Sequence, residues 1–467
     1  MDLVKKKKLR IAIVGGGIGG LALAVTLKKL GVEDKITLDV YEAAAKLSQV
    51  GAGVTMWPRA WEIMKNLGME EQLIAKLPPG QEKPAMSEQR FYLSMRKSNQ
   101  REGVPIVDVV GPGGAASYHR ADIQSILLDQ ASPTLQYHLS HRLTKYRESK
   151  DGLILEFSNG STAVCDLLVG ADGINSAVRK TLLAEGKHWT EEEIDLHARP
   201  IWTGIHCYRC LVDADLVRRE SPESRCLNKL TLVSIPPNLT IGVTKSDWDG
   251  SFAVKIGYHL VVYPISQGQQ INVAALVLNP EKKGTYLDGP VVQQSKREDI
   301  IRHYQGWEED VEVLLKHIPD PSRWSIQYIK PLDSYISQSG RALLLGDAAH
   351  ATTPDFASGA GLAIESAYFL GHIISKVLEK NLAPYASATT ITKVYDEIRR
   401  PFCNAAAAAS RTLGTMSNFT VPGSEQYIDG VEMPADKLSE LGALIQGGWD
   451  WVSTSAMPDL ERALGMI

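Results

Sequence analysis

Cysteine is scarce in this chain. Cys165, Cys207, Cys210, Cys226 and Cys403 are the only five in 467 residues, too few and too scattered for a disulfide framework. A reducing, cytoplasmic setting is the expectation. Long apolar runs are also missing, since no stretch reaches the roughly 20 residues that span a bilayer. The first apolar run, Ile11 to Val14, is strand-length and followed by glycines. A signal peptide needs an apolar region of about 7–15 residues, so none is expected. Charge of one sign is not in excess: Lys+Arg 50 against Asp+Glu 54 gives a formal net charge of -4. That balance gives no reason to expect a nucleic-acid or anionic-membrane partner. The one basic run, Lys5 to Lys8, reads as a solvated tail flanking a strand. No repeat is visible, and no ligand cluster has metal-site spacing, so no metal is expected. Cys207-x-x-Cys210 lies within Ile205 to Val212, which reads as a strand rather than the turn-to-helix entry of a redox motif.

What is present is ordinary in bulk and specific in detail. A hydrophobic fraction of 44% and a charged fraction of 22% fit a globular protein long enough for two or three cores. Strand-like and helix-like segments alternate at the start, the sign of α/β organisation. From about Ile201 to Val277 the texture becomes β-rich, as in Gly257 to Tyr263 and Ile271 to Val277. Helical patterns return after Gly346, and Ala405 to Ala409 is read as part of a helix. Pro78 to Gly114 is rich in Pro, Gly and polar residues and is expected to hold long loops.

The first chemical motif is Gly15-x-Gly17-x-x-Gly20, entered from the strand Leu9 to Val14 and followed by a Leu/Ala-rich helix. Gly15 allows the tight turn, Gly17 lets backbone approach a pyrophosphate, and Gly20 permits close helix–strand packing. With Ile18, these residues open a helix whose N–H groups and dipole favour phosphate. Leu38 to Glu42 supplies a second strand ending in Glu42, placed to accept hydrogen bonds from a ribose. A dinucleotide site is the reading. Two later motifs sharpen it. Asp166 to Arg179 joins a buried strand to an Ala171-Asp172-Gly173 turn, and Arg341 to His350 ends a strand in Gly346-Asp347. Pro354 and Gly359-Ala360-Gly361 follow, before an amphipathic helix. Aspartates at the carboxyl ends of parallel strands sit where open α/β sheets bind ligands, and the glycines before a helix suit the pyrimidine edge of a flavin. His350 is read as holding backbone rather than as a reacting group.

In this order and spacing, the motifs resemble the single-component FAD-dependent aromatic hydroxylases with the para-hydroxybenzoate hydroxylase fold. The likeness is greatest to salicylate hydroxylase-type enzymes and their fungal relatives, and it extends over nearly the whole chain. Gln49 to Val54 resembles the family's second flavin-contacting segment, which places Gly53 and Val54 at the cofactor; Tyr118 to Ile123 resembles the segment whose arginine, here Arg120, contacts it. Tyr208-Arg209 resembles the opening of the substrate sheet and Tyr263-Pro264 its later Tyr-Pro, while Tyr395 with Arg399 to Pro401, and Trp449 with Trp451, match family features near the C-terminus.

The resemblance implies a Rossmann-type FAD-binding domain with an inserted mixed β-sheet substrate domain and a helical C-terminal region. Its expected boundaries are 1–76, 118–195 and 331–380 for the FAD-binding parts. Residues 77–117 are a substrate-domain or loop segment, 196–330 the substrate sheet, and 381–467 the helical end. The implied reaction is hydroxylation of a small phenolic or hydroxybenzoate-type aromatic, with loss of the carboxyl group for salicylate-like substrates. NADPH or NADH, bound transiently, would reduce FAD, and dioxygen would react to give a flavin hydroperoxide.

Strand alternation puts His206, Tyr208 and Cys210 on one face, and Cys207, Arg209 and Leu211 on the other. His259, Val261 and Tyr263 share a face of a second strand. His206, Tyr208, Arg209, His259 and Tyr263 are therefore the candidate catalytic and substrate-contacting residues. Several positions depart from the family pattern: Asp355-Phe356-Ala357 for His-Gln-Gly, Leu362 for Gln, Glu365-Ser366 for Glu-Asp, Pro58-Arg59 for Pro-Asn, and Ala43 for Arg. Trp57, Phe356 and Leu362 would suit a bulkier, more apolar ligand, so an epoxidase or dearomatising hydroxylase of secondary metabolism is one alternative. A flavin-binding protein without turnover is another. A monomer or homodimer fits, and the segment from Val421 is expected to cover the substrate entrance or mediate association.

Overall fold

The computed structural model describes residues 7–47, 53–77, 82–98, 101–131, 135–228, 230–235, 257–418 and 433–467. Lys5 and Lys6, Gln49 to Ala52, and 421–432 thus lie outside the described residues. The N-terminal fingerprint folds as its sequence dictates. Leu9–Val14 is almost wholly buried, because helices cover both faces of its sheet. It is the middle strand of five parallel ones, ordered Ala342–Leu344, Leu167–Gly170, Leu9–Val14, Ile36–Tyr41 and Gln136–His138. The helix Ile18–Lys29 buries Gly20 through Leu27 and packs along the helix Gly359–Glu379. Their approach is close at Gly371, where a Cβ would lie 2.4 Å from a Thr26 methyl carbon.

The β-rich middle forms a second, eight-stranded sheet. Its order is Val292–Gln294, Ser322–Tyr328, Ile201–Asp213, Gln270–Leu278, Tyr258–Ile265, Thr231–Ile235, Ala85–Lys97 and Val104–Gly113. One face of this sheet packs Tyr208, Val212, Leu260 and Val273 against Tyr304 and Leu314 from the helices Arg297–Tyr304 and Glu309–His317, and against Trp307 between them. The other face turns toward the five-stranded domain. The expectation of long loops over 78–114 is wrong. Ala85–Lys97 and Val104–Gly113 are paired strands of 13 and 10 residues. Pro105 and Pro112 misled the reading: they sit on an edge strand, the one place in a sheet that tolerates missing N–H donors. The helix Ala435–Gly448 covers that edge. Gln446 there accepts from the Val110 N–H (3.0 Å) and donates to its carbonyl (2.8 Å), copying a neighbouring strand.

Ala405 to Ala409 lies inside the 34-residue helix Pro384–Ser417. Cys207 and Cys210 are strand residues with free thiols. No described helix is long and apolar enough to cross a membrane.

Candidate active site

Between the parallel sheet and the second sheet lies a cavity of about 530 Å³. One wall is mostly backbone. Gly17, Ile18, Gly53, Val54, Arg120, Gly173, Asp347, Pro354, Gly359 and Ala360 all line it. Gly15 and Gly20 stand behind and make the turn possible. Gly15 has φ +112°, and a Cβ there would meet the Ala171 carbonyl oxygen at 2.2 Å. A Cβ on Gly20 would meet the Gly15 carbonyl oxygen at 2.1 Å. At Gly17, by contrast, a Cβ would meet nothing within 4 Å, so the space over its backbone is open. Gly17 is the N-cap of its helix, with no side-chain cap and no acid in the first turn. Its end is therefore a cradle of N–H groups facing an open cleft, which fits the pyrophosphate of a dinucleotide.

Three predicted cofactor residues act less directly. Glu42 accepts from the backbone N–H of Gly16 (2.9 Å) and of Ala44 (2.8 Å), fixing the glycine turn. Asp172 turns its carboxylate away from the cavity. It accepts from the N–H groups of Ala177 (2.8 Å) and Val178 (3.2 Å) and caps the helix Ala177–Ala184. The neighbours Ala171, Gly173 and Ile174 line the cavity in its place. Gly361 packs behind the wall, 3.2 Å from the Ala60 methyl as measured to an added Cβ.

The opposite wall is built of side chains from the second sheet. Cys207, Arg209, His259, Tyr263, Asn272 and Trp324 line it, with Trp57, Leu232 and Trp449 at one end. Alternation thus resolves the two candidate faces. His206 and Tyr208 do not line the cavity. Tyr208 belongs to the core beneath the sheet. His206 packs on Trp202, with Nδ1 3.3 Å from the Ser325 hydroxyl, and burial lowers its pKa to about 4.

Arg209 holds its guanidinium 5.9 Å from the Trp324 ring centroid, and its buried Nε has no hydrogen-bond partner among the described residues. A planar cation with a spare donor suits a carboxylate or phenolate oxygen. Tyr263 lies over Gly53, where a Cβ would sit 2.3 Å from the phenolic oxygen. Asn272, a lone amide between Ile271 and Leu278, accepts from the Gly53 N–H at 3.1 Å and so ties the two walls together.

The tautomer of His259 follows from its partners. Asn418 donates through its amide nitrogen to the Gly414 carbonyl (2.9 Å), so its oxygen faces His259 Nδ1 at 2.9 Å. Nδ1 then carries the hydrogen and Nε2 the lone pair. Burial lowers the pKa of this histidine to about 4, leaving it neutral at pH 7.

Behind the backbone wall, the departures Arg59 and Ser366 meet the same buried Glu365–Arg399 pair. Glu365 binds Arg59 through two contacts of 2.7 and 2.9 Å and also pairs with Arg399, all three being buried. Ser366 accepts from Arg399 at 3.2 Å. His350 Nε2 faces the Ser366 hydroxyl at 3.3 Å.

The FAD binding domain family matches residues 8–215 and 330–410. A salicylate hydroxylase from Pseudomonas putida is 30% identical over 399 residues, covering 85% of this chain and 83% of that protein. A 6-methylsalicylate monooxygenase from Aspergillus terreus is 28% identical over 431 residues, 91% of this chain and 85% of its own length. A salicylate hydroxylase solved with substrate superposes with a TM-score of 0.77 at 26% identity, covering 98% of both chains. This protein belongs to the FAD-binding aromatic monooxygenase family and has the salicylate hydroxylase fold. Within that family it is a flavin-dependent oxidoreductase.

Proposed function

We propose that this enzyme uses NAD(P)H and dioxygen to hydroxylate a phenolic or hydroxybenzoate-type ring. The carrying observation is the two-walled cavity. A backbone cradle faces a side-chain wall whose cation, Arg209, stands beside a tryptophan ring with an unused donor. Bound FAD would supply the redox chemistry that activates dioxygen, held by the N–H groups at Gly17 and Ile18, by Arg120 and by Asp347. The chain's own tasks are to place the ring, exclude water and manage its proton. Arg209 pairs with the substrate carboxylate. Tyr263 and Asn272 donate at the mouth of the flavin wall, and His259 offers its Nε2 lone pair. The names of the salicylate, methylsalicylate and 3-amino-4-hydroxybenzoate monooxygenases among its relatives support this substrate class. An ortho-hydroxybenzoate would lose its carboxyl group as carbon dioxide when the ring is hydroxylated at that carbon.

One observation favours a larger substrate. Trp57 and Trp449 line the cavity with ring centroids 4.8 Å apart, backed by the buried rings of Tyr92 and Phe356. Prenylated or polyketide phenols would place their apolar tails there. The deciding experiment screens yellow, FAD-loaded protein with hydroxybenzoates, prenylated phenols and alkenes. NAD(P)H oxidation, product mass and released carbon dioxide are followed. Hydroxybenzoate-stimulated oxidation with a product sixteen mass units heavier, or with carbon dioxide release, bears the proposal out. Stimulation by alkenes alone sinks it.

A further inference from the structure

One position that departs in charge from the family pattern, Asp355, stands on the cavity wall. It lies in the short turn Pro354–Phe356 and rests flat on Gly414 of the long helix. A Cβ on Gly414 would be 2.7 Å from one carboxylate oxygen and 2.9 Å from the other. The niche thus exists only because residue 414 is glycine. Oδ1 is buried without a hydrogen-bond partner, and no cation pairs with the carboxylate among the described residues. A carboxylate kept in an apolar wall with an oxygen unused is costly unless something completes it. We propose that a ring hydroxyl of the substrate completes it, and that Asp355 is the general base of the reaction.

In the resting complex the hydroxyl donates a hydrogen bond to Asp355. As the ring attacks the oxygen donor, the O–H proton passes to the carboxylate, and the O–H electron pair flows into the ring. Asp355 becomes the neutral acid and returns its proton to solvent after turnover. This assignment rests on the hydroxylase reading above. The surroundings support it over His259, the other acceptor present. Burial pushes Asp355 up to about 6, against a Thr353 hydrogen bond and its own backbone N–H, which lower it. His259, at about 4, is the weaker base. On the facing strands burial raises Cys207 to about 11 and Tyr263 to about 12, and Arg209 is the charged side chain there. On the helix beneath, the charged side chain is Arg411, whose guanidinium lies 5.0 Å from the Tyr328 ring centroid.

The test uses FAD-loaded wild type, Asp355→Asn and Asp355→Leu, with the FAD-to-protein ratio confirming an intact flavin site. With para-hydroxybenzoate as probe, NAD(P)H oxidation by the wild type should fall as pH drops through about 6. Asp355→Asn should lose on the order of 10²-fold in kcat and lose that pH limb. The tetrafluoro analogue, already ionised in buffer, should be turned over by Asp355→Asn at least as well as by the wild type. Equal losses on both ligands would overturn the proposal. Binding, read from the flavin absorbance, supplies an arm that needs no turnover. The wild type should prefer para-hydroxybenzoate to its methyl ether by about tenfold, and Asp355→Leu should not. Wild type that shows this preference without oxidising NAD(P)H removes the hydroxylase reading and leaves the Leu variant to decide this one. No preference, or no binding of either ligand, overturns the assignment of Asp355.

Discussion

The two walls of the cavity are made by different means. On the flavin side, function resides in backbone: glycines set the turn, N–H groups face the cleft, and the acids Glu42 and Asp172 spend their oxygens holding that backbone in place. On the substrate side, function resides in side chains standing on a sheet, where neighbouring positions alternate between cavity and core. A backbone-built wall tolerates no added atom at its turn glycines, Gly15 and Gly20, but carries little information about the ligand. A side-chain wall tolerates change in shape, and each residue alters what fits.

The largest effect should come from Gly15→Ala. Its φ of +112° and the Ala171 carbonyl 2.2 Å from the new methyl combine strain with a backbone clash. The expected cost exceeds about 4 kcal/mol, giving insoluble or colourless protein. Gly17→Ala sharpens the contrast. The methyl meets no protein atom, so thermal stability should stay near wild type while FAD affinity, read by fluorescence, weakens about tenfold as the pyrophosphate is pushed outward. Normal FAD affinity in Gly17→Ala would break the claim that this wall binds through backbone approach.

Next in size is Glu365→Leu, which strands Arg399 as a buried unpaired cation and leaves Arg59 only Asp459, 3.5 Å away. A loss of about 3–5 kcal/mol is expected in urea unfolding. Burial raises the Glu365 pKa, but Arg399 and Arg59 outweigh it and hold the carboxylate below its ordinary range. A depressed carboxylate stabilises the fold above its unfolded value, about 4.3, and that stability is lost as pH falls below it. The variant should lack this part of the acid limb. An unchanged limb would show that the triad does not set acid stability.

How much of this was legible in the sequence follows the same division. The glycine turn follows directly on its strand, and Glu42 ends the next strand of the same βαβ unit, so this wall of the cavity could be read from one stretch of sequence. The strand period separated Cys207 and Arg209 from His206 and Tyr208, yet nothing local states which face meets the cavity; that depends on which face the helices Arg297–Tyr304 and Glu309–His317 cover. Asn272 carried a signal, a lone amide within Ile271 to Val277, whose partner Gly53 lies 219 residues away. Trp324 carried none. Arg59 and Ser366 were visible only as separate departures, because their shared contact with the Glu365–Arg399 pair is tertiary. The segment after Lys83 was missed because a strand half-exposed on an edge lacks clean alternation.

The smaller effects probe the side-chain wall. Arg209→Gln should raise KM for carboxylated rings by about 10–100-fold, the worth of one charge-assisted hydrogen bond, with kcat and FAD content less affected. Methyl esters of the same acids should show no such penalty, and an equal penalty would remove the carboxylate contact. The smallest change is Tyr208→Phe. The ring faces Val212, Leu260 and Val273 in the core rather than the cavity, and the substitution removes one oxygen while keeping the ring's volume. KM and kcat should therefore stay within about twofold of wild type, with stability altered by roughly 1 kcal/mol or less. The residue next to it, Arg209, lines the cavity from the opposite face of the same strand. A KM shift in Tyr208→Phe comparable to that in Arg209→Gln would mean that the strand turns the wrong face to the ligand, and the division between cavity and core would fail with it.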